Sequence, residues 1–214
     1  MLKLFYAAET CALATHIALI DAAAPYELVK LHLASGEHRR PEYLAINPKA
    51  RVPALITEEG VLTETPALLA YVAQRFPQAA LAPRDPFQFA RVQELNSYLA
   101  STVHVAHAHR MRGERWADDP QAVLAMKKKV PANVAACFEL IERDLLRGPW
   151  VMGETYTICD PYLFTLARWL EADGVDLARL PKVRAHRERM GARVNVQQAL
   201  AEELGNATPR ASAS

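Results

Sequence analysis

Leu2-Lys3-Leu4-Phe5-Tyr6-Ala7-Ala8-Glu9-Thr10-Cys11-Ala12-Leu13-Ala14-Thr15-His16-Ile17 runs from a short apolar strand through a tight loop into the start of a helix. The helix is predicted over 12–23, with Leu13, Ile17 and Ile20 at spacings of four and three. Cys11 stands at the junction. The first turn of a helix leaves backbone N–H groups unpaired, and their partial positive charge favours an anion, so a thiol here is expected to ionise near neutral pH. The window Cys11-Ala12-Leu13-Ala14 holds no second cysteine. A dithiol cycle within the loop is excluded, and any partner thiol comes from outside the chain. The other reading of Cys11 is a small, inert core residue.

Working outward, the pattern predicts strands at 26–33, 52–56 and 61–63 and a short helix or turn at 41–46. Glu58-Glu59-Gly60 makes a turn. Thr65-Pro66 opens a further helix as N-cap and first helical residue, and that helix ends near Phe76, before Pro77. The order β-α-β-α-β-β-α over residues 1–80 describes an α/β thioredoxin-like N-terminal domain. Leu81-Ala82-Pro83-Arg84-Asp85-Pro86 is a proline-marked connector. Beyond it, 87–204 reads as an all-α C-terminal domain. A long amphipathic run at 87–112 carries Val92, Leu95, Leu99, Thr102 and Ala106 in one stripe. A helix from Asp119-Pro120 to about residue 147 is expected to kink or split at Pro131 and to stop at Gly148-Pro149. Thr157-Ile158-Cys159-Asp160 resembles a capping box with aspartate in place of glutamate. Two shorter helices follow, at 181–190 and 196–204, and 205–214 is expected to be a flexible tail.

Hydrophobic residues make up 51% of the 214, enough for a substantial core. Twenty-five basic residues against 24 acidic ones point to neither nucleic acid nor a membrane surface as partner. Cys11, Cys137 and Cys159 are too few and scattered for a disulfide framework. No apolar run reaches about 18 residues, and the N-terminus is a poor signal peptide. A cytoplasmic, reducing setting is expected. Cys137 and Cys159 read as core.

Beyond Cys11, four groups are able to carry chemistry. Val52-Pro53 opens a strand; a cis bond there would turn the Val52 N–H and C=O outward to pair with an extended peptide, whereas a trans proline would simply start the strand. Glu64-Thr65 at a helix start suits an α-amino-acid head group, or is a cap alone. His104 and His107 share a helix face while His109 points away, and no acid lies at a suitable local spacing, so no metal is expected. Arg110, Arg112 and Arg115 make this helix end basic, ready either to receive an acidic substrate or to complement the helix C-terminus.

Three motifs, 11–19, 47–55 and 62–71, together resemble the cytosolic glutathione transferases, and Thr157-Ile158-Cys159-Asp160-Pro161-Tyr162 resembles that family's capping motif. The likeness spans nearly the whole chain and is nearest to the bacterial beta class, which carries cysteine at this place. The resemblance implies the following. Glutathione is the co-substrate, with no metal, and is bound by Thr10, Cys11, His32, Arg51, Val52, Pro53, Glu64 and Thr65. Cys11, Thr10 and His104 act in catalysis, with Thr10 as N-cap or as hydrogen-bond donor to the thiolate. His104, His107, Arg110 and Met111 line the pocket for a small electrophile. The protein works as a homodimer in detoxifying conjugation. Thiol–disulfide exchange or a peroxidase reaction through Cys11, and a non-catalytic interaction module, are the alternatives. The lysine that helps hold the glycyl end is missing, and His32, Arg39 or Arg40 stands in for it. Asn96 resembles an asparagine lent across the dimer, at a spacing from His104 one residue too long.

Overall fold

The computed structural model describes residues 1–205. A four-stranded sheet is built from β1 (Leu2–Tyr6), β2 (Tyr26–Lys30), β3 (Ala54–Ile56) and β4 (Val61–Thr63), in the order β2-β1-β3-β4. β1 and β2 are parallel, and the other two pairings are antiparallel. Leu4 is central, opposite Leu28 on one side and Leu55 on the other. α1 (Ala12–Asp21) makes the crossover between the parallel strands, and every residue from Ala12 to Ile20 is buried. A helix covered all round needs partners on every side, and α1 packs against α3 (Thr65–Arg75) as well as against two helices of the C-terminal half. The short α2 (Pro41–Leu44) lies between β2 and β3.

Several boundaries differ from expectation, each for a local reason. β2 stops at Lys30 rather than residue 33, because its partner β1 ends at Tyr6; the Leu31 N–H makes the last bond, to the Tyr6 carbonyl at 2.8 Å. The chain then turns through Leu33–Ser35. β3 begins at Ala54, since Pro53 has no N–H to give a ladder. Thr65 is the first residue of α3 and Glu64 is its cap.

The rest is helical: α4 (Pro86–Tyr98), α5 (His104–Arg112), α6 (Pro120–Leu140), α7 (Cys159–Ala167), α8 (Pro181–Gly191) and α9 (Val194–Leu204). α4 and α5 form one run joined by a π-turn, Leu99–Val103. That turn holds one residue more than an α-turn, which is why Val103 is buried and Thr102 exposed in the predicted stripe. It also accounts for the extra residue between Asn96 and His104. Asn96 itself is 0% exposed, with both side-chain polar atoms lacking a partner among the described residues. α6 passes through Pro131 without splitting; the ring lies against Gly174, where a side-chain carbon would come within 3.3 Å of it. α6 runs on through a second π-turn, Ile141–Leu145, and the chain becomes extended at Leu146, ahead of Gly148.

The capping segment forms as read. Asp160, fully buried, accepts the Thr157 N–H at 2.7 Å and hydroxyl at 3.4 Å on one oxygen. Its other oxygen accepts the Val151 N–H at 2.9 Å and lies 3.0 Å from His186 Nε2. Cys159 and Cys137 are core residues, the Cys159 thiol meeting the Val92 carbonyl at 3.2 Å. One apolar core runs from Leu4, Leu19 and Leu55 of the sheet side to Leu99, Phe138 and Leu163 of the helical side. α9 is fastened to α1 by polar contacts: His16, 0% exposed, lies 2.9 Å from Glu202 and 3.3 Å from Glu203. Beyond Gly205, the tail expected at 205–214 lies outside the described residues.

Candidate functional site

The C-terminal end of β1 delivers the loop Ala7–Thr10 and then Cys11, which caps α1 and is 8% exposed. Its thiol lies 3.7 Å from the Val52 carbonyl. Burial pushes the thiol pKa up, and the Thr65 hydroxyl and the Arg112 charge oppose this without overcoming it. The expected ionisation at neutral pH is therefore corrected. Three helix-start donors are used elsewhere: Ala12 N–H bonds the Thr10 hydroxyl at 3.3 Å, Leu13 N–H the Thr10 carbonyl at 3.3 Å, and Ala14 N–H the Cys11 carbonyl at 3.2 Å; the Cys11 N–H acts on the thiol but is outweighed by burial. The Thr10 hydroxyl donates to the Ala7 carbonyl at 2.7 Å, so its single proton is engaged within its own loop.

The Val52–Pro53 bond is cis. Among the described residues the Val52 N–H has no acceptor. The loop ahead of it is held by its own interior. Asn47, 1% exposed, donates to the Arg51 carbonyl at 2.7 Å, and the Tyr43 hydroxyl reaches the same oxygen at 2.6 Å. Asn47 also accepts the Lys49 N–H at 3.2 Å. Facing the loop, Glu64 holds φ at 72°, a backbone region that residues with a side chain rarely occupy, and ion-pairs with Lys49 at 2.6 Å. Thr65 beside it is 4% exposed, with its hydroxyl toward Cys11. Lys49 was not singled out by sequence reasoning, because a lysine in a turn looks like any solvated charge.

The helical side closes the site. His104 and His107 do share a face: their rings lie 5.4 and 4.2 Å from that of Trp169, while His109 packs on Trp116 at 4.3 Å. Burial, then the charges of Arg112, His107, Arg51 and Arg115, push the His104 pKa down to about 4, so it is neutral at pH 7. His107 Nδ1 lies 2.5 Å from a carboxylate oxygen of Asp173, a residue 4% exposed. Arg110 also leans on Asp173, at 3.1 Å; the angle is poor for a hydrogen bond, and its guanidinium bonds the Ala172 carbonyl at 2.9 Å instead. A cleft of about 300 Å³ is lined by Glu9, His107, Arg110, Met111, Arg112, Arg168 and Trp169 together with two alanines. Three of the four expected pocket residues line it; His104 does not. Arg112 belongs to the basic helix end expected to receive an acidic substrate; Arg168 and Trp169 were not assigned to this pocket from sequence, because the contact between α5 and the end of α7 leaves no local pattern. A second hollow, about 290 Å³ and lined by Pro131, Glu139, Gly174 and Arg179 among others, holds none of the expected residues.

Around these groups Arg39, Arg51, Arg112 and Arg115 lie close enough to act on one another's charge, and none makes an ion pair among the described residues. His32 is exposed; its backbone N–H donates to Glu37 at 2.7 Å and it belongs to the surface turn after β2. No group of three or more His, Cys, Asp or Glu positioned for a metal occurs among the described residues, and no described helix is long and apolar enough to cross a membrane.

A thioredoxin-like sheet presenting a cis-proline beside a thiol, backed by a helical half with an open cleft, defines a class of thiol-peptide enzymes and their relatives. The profile of the glutathione S-transferase N-terminal domain matches residues 1–74. Over 205 residues the chain is 33% identical to glutathione S-transferase GstA of Escherichia coli O157:H7, covering 94% of this chain and 98% of that protein. The structure of a glutathione transferase homolog from Sulfitobacter, solved with bound glutathione, is 47% identical, with a TM-score of 0.91 over 97% of this chain and 99% of that one. The beta-class glutathione S-transferase of Sphingomonas chungbukensis is 33% identical, with a TM-score of 0.82 over 96% and 100%. The chain belongs to the glutathione S-transferase family.

Proposed function

We propose that the chain binds glutathione across Val52, Glu64 and Thr65 and transfers its thiolate to small electrophiles. The observation that carries this is the Val52 N–H, without an acceptor among the described residues and set before a cis proline, 41 positions along the chain from a thiol that its own carbonyl touches. An extended cysteinyl backbone pairs there as an added strand. Thr65 at the start of α3 takes the γ-glutamyl carboxylate and Glu64 its ammonium. Arg39, with Arg51 and Arg115, supplies cations for the glycyl carboxylate in preference to His32. Arg112 is the cation that favours an ionised sulfur, and neutral His104 serves as a hydrogen-bonding wall. Cys11 lies beside the incoming sulfur without supplying the nucleophile, because its raised pKa keeps it protonated; this counts against the exchange reading.

The rest of the reading is a homodimer in the cytoplasm, acting in detoxification, with residues 1–80 as the glutathione-binding domain and 87–204 as the substrate-pocket and dimerisation domain. Titration calorimetry with glutathione, followed by conjugation of a generic chloronitrobenzene, tests it. Binding at millimolar or tighter affinity is expected, with Cys11→Ala keeping conjugation within about threefold. Absence of binding at millimolar glutathione would overturn the proposal in favour of a non-catalytic module; loss of conjugation in Cys11→Ala would return the cysteine to the mechanism.

A further inference from the structure

We propose that the cleft beside the thiol site takes electrophiles bearing a carboxylate, held by Arg168 with Arg112. This rests on the conjugation reading above. Arg168 follows the last residue of α7 and projects into the cleft, its guanidinium 6.0 Å from the Phe164 ring centre. It is half-buried, and burial pulls its pKa down. Glu9 and Glu203 act on it only through their fields, and among the described residues no carboxylate lies within ion-pair distance. A partly desolvated guanidinium without a counterion is an incomplete pair, and its planar fork matches a carboxylate with two parallel hydrogen bonds.

Arg110, on the same wall, shows the contrast: Asp173 already neutralises it. Arg112 likewise makes no ion pair among the described residues, and its charge reaches both the Cys11 thiol and His104, so it stands where the cleft meets the sulfur. Trp169 and Met111 give the substrate an apolar wall. Both arginines end helices, and a helix C-terminus explains one cation at each end. It does not explain why two such ends converge on one hollow whose only lining carboxylate, among the described residues, is the exposed Glu9.

The chemistry needs nothing further. The thiol proton leaves to solvent, and the sulfur lone pair forms the C–S bond at the chlorine-bearing carbon of 4-chloro-3-nitrobenzoate. The ring and nitro group hold the displaced electron pair until the C–Cl bond breaks and chloride departs. The test compares kcat/KM for this acid and for the uncharged 4-chloro-3-nitrobenzamide, each divided by its rate with free glutathione. The corrected ratio is expected to favour the acid by about tenfold or more, the range of a charged hydrogen-bonded pair. Arg168→Met should reduce that ratio by about tenfold, Arg168→Lys by less, and Glu9→Gln should raise it by roughly two- to threefold by removing a like charge. Turnover of the benzamide with no preference for the acid overturns this inference alone, and so does an unchanged ratio in Arg168→Met. Failure to bind glutathione in calorimetry overturns the conjugation reading, and this inference with it.

Discussion

Replacing Asp160 by alanine tests whether the helical half is held together from the first turn of α7. The carboxylate is fully buried and receives two backbone N–H groups, those of Val151 and Thr157, besides contacting the Thr157 hydroxyl and His186. Truncation strands both backbone donors and the imidazole in a space closed to solvent. Each orphaned donor costs roughly 1–3 kcal/mol, so losing the acceptor of the two backbone N–H groups costs about 4 kcal/mol. For a chain of this length that is a fall in Tm of about 8–16 °C. Asp160→Asn keeps the shape and one acceptor oxygen but turns an NH2 toward donors, so about half the loss is expected. Equilibrium urea unfolding at a fixed protein concentration, with circular dichroism as readout, measures both. A loss below about 1 kcal/mol in Asp160→Ala would refute the reasoning, because it would mean that water or a neighbour satisfies those donors as well as the carboxylate does.

Two further perturbations address the clamp and the thiol site. For His16, burial lowers the pKa, but the hydrogen bonds it makes to Glu202 and Glu203 outweigh it and leave the pKa raised, while Glu202 is pulled down to about 2, chiefly by His16. A raised histidine stabilises fully below its unfolded value of 6.5 and loses that stabilisation as pH rises through the folded one; a depressed glutamate contributes above 4.5 and loses its contribution on acidification toward 2. The wild type should therefore lose urea resistance as pH rises above 6.5, and His16→Gln should not; parallel curves would sink the idea. Glu64→Gly relieves the 72° φ of Glu64 and removes only a half-exposed ion pair with Lys49. Stability should hold or rise by up to about 1 kcal/mol while the KM for glutathione rises by about tenfold or more, so a clear fall in Tm with KM unchanged would contradict a binding role.

The sheet was legible because its signals are local. β1 and β4 fall on the expected residues, and β3 with the turn that joins it to β4 is bounded by Pro53 and Gly60. The capping segment before α7 was legible for the same reason: Thr157 and Asp160 are three residues apart and complete their bonds with each other. Properties set by distant residues were not legible. The Cys11 thiol is governed by burial from elements far along the chain, so its place at a helix start gave the wrong direction. Trp169 and Asp173 meet α5 only through contacts between residues more than 60 positions apart, and Arg168 meets it only across the shared cleft. Pro131 reads as a breaker until Gly174 is seen making room for it.

The π-turn at Leu99–Val103 has an evolutionary side. It lies upstream of every residue that α5 contributes to the cleft, and one residue is about 100° of helical rotation. Loss or gain of a single codon there would swing His107, Arg110 and Met111 away and bring a different set of side chains around, while α4 and its core contacts stay where they are. Substrate range in such a scaffold is thus open to change by one short insertion or deletion, a step that leaves the peptide-binding half of the molecule untouched.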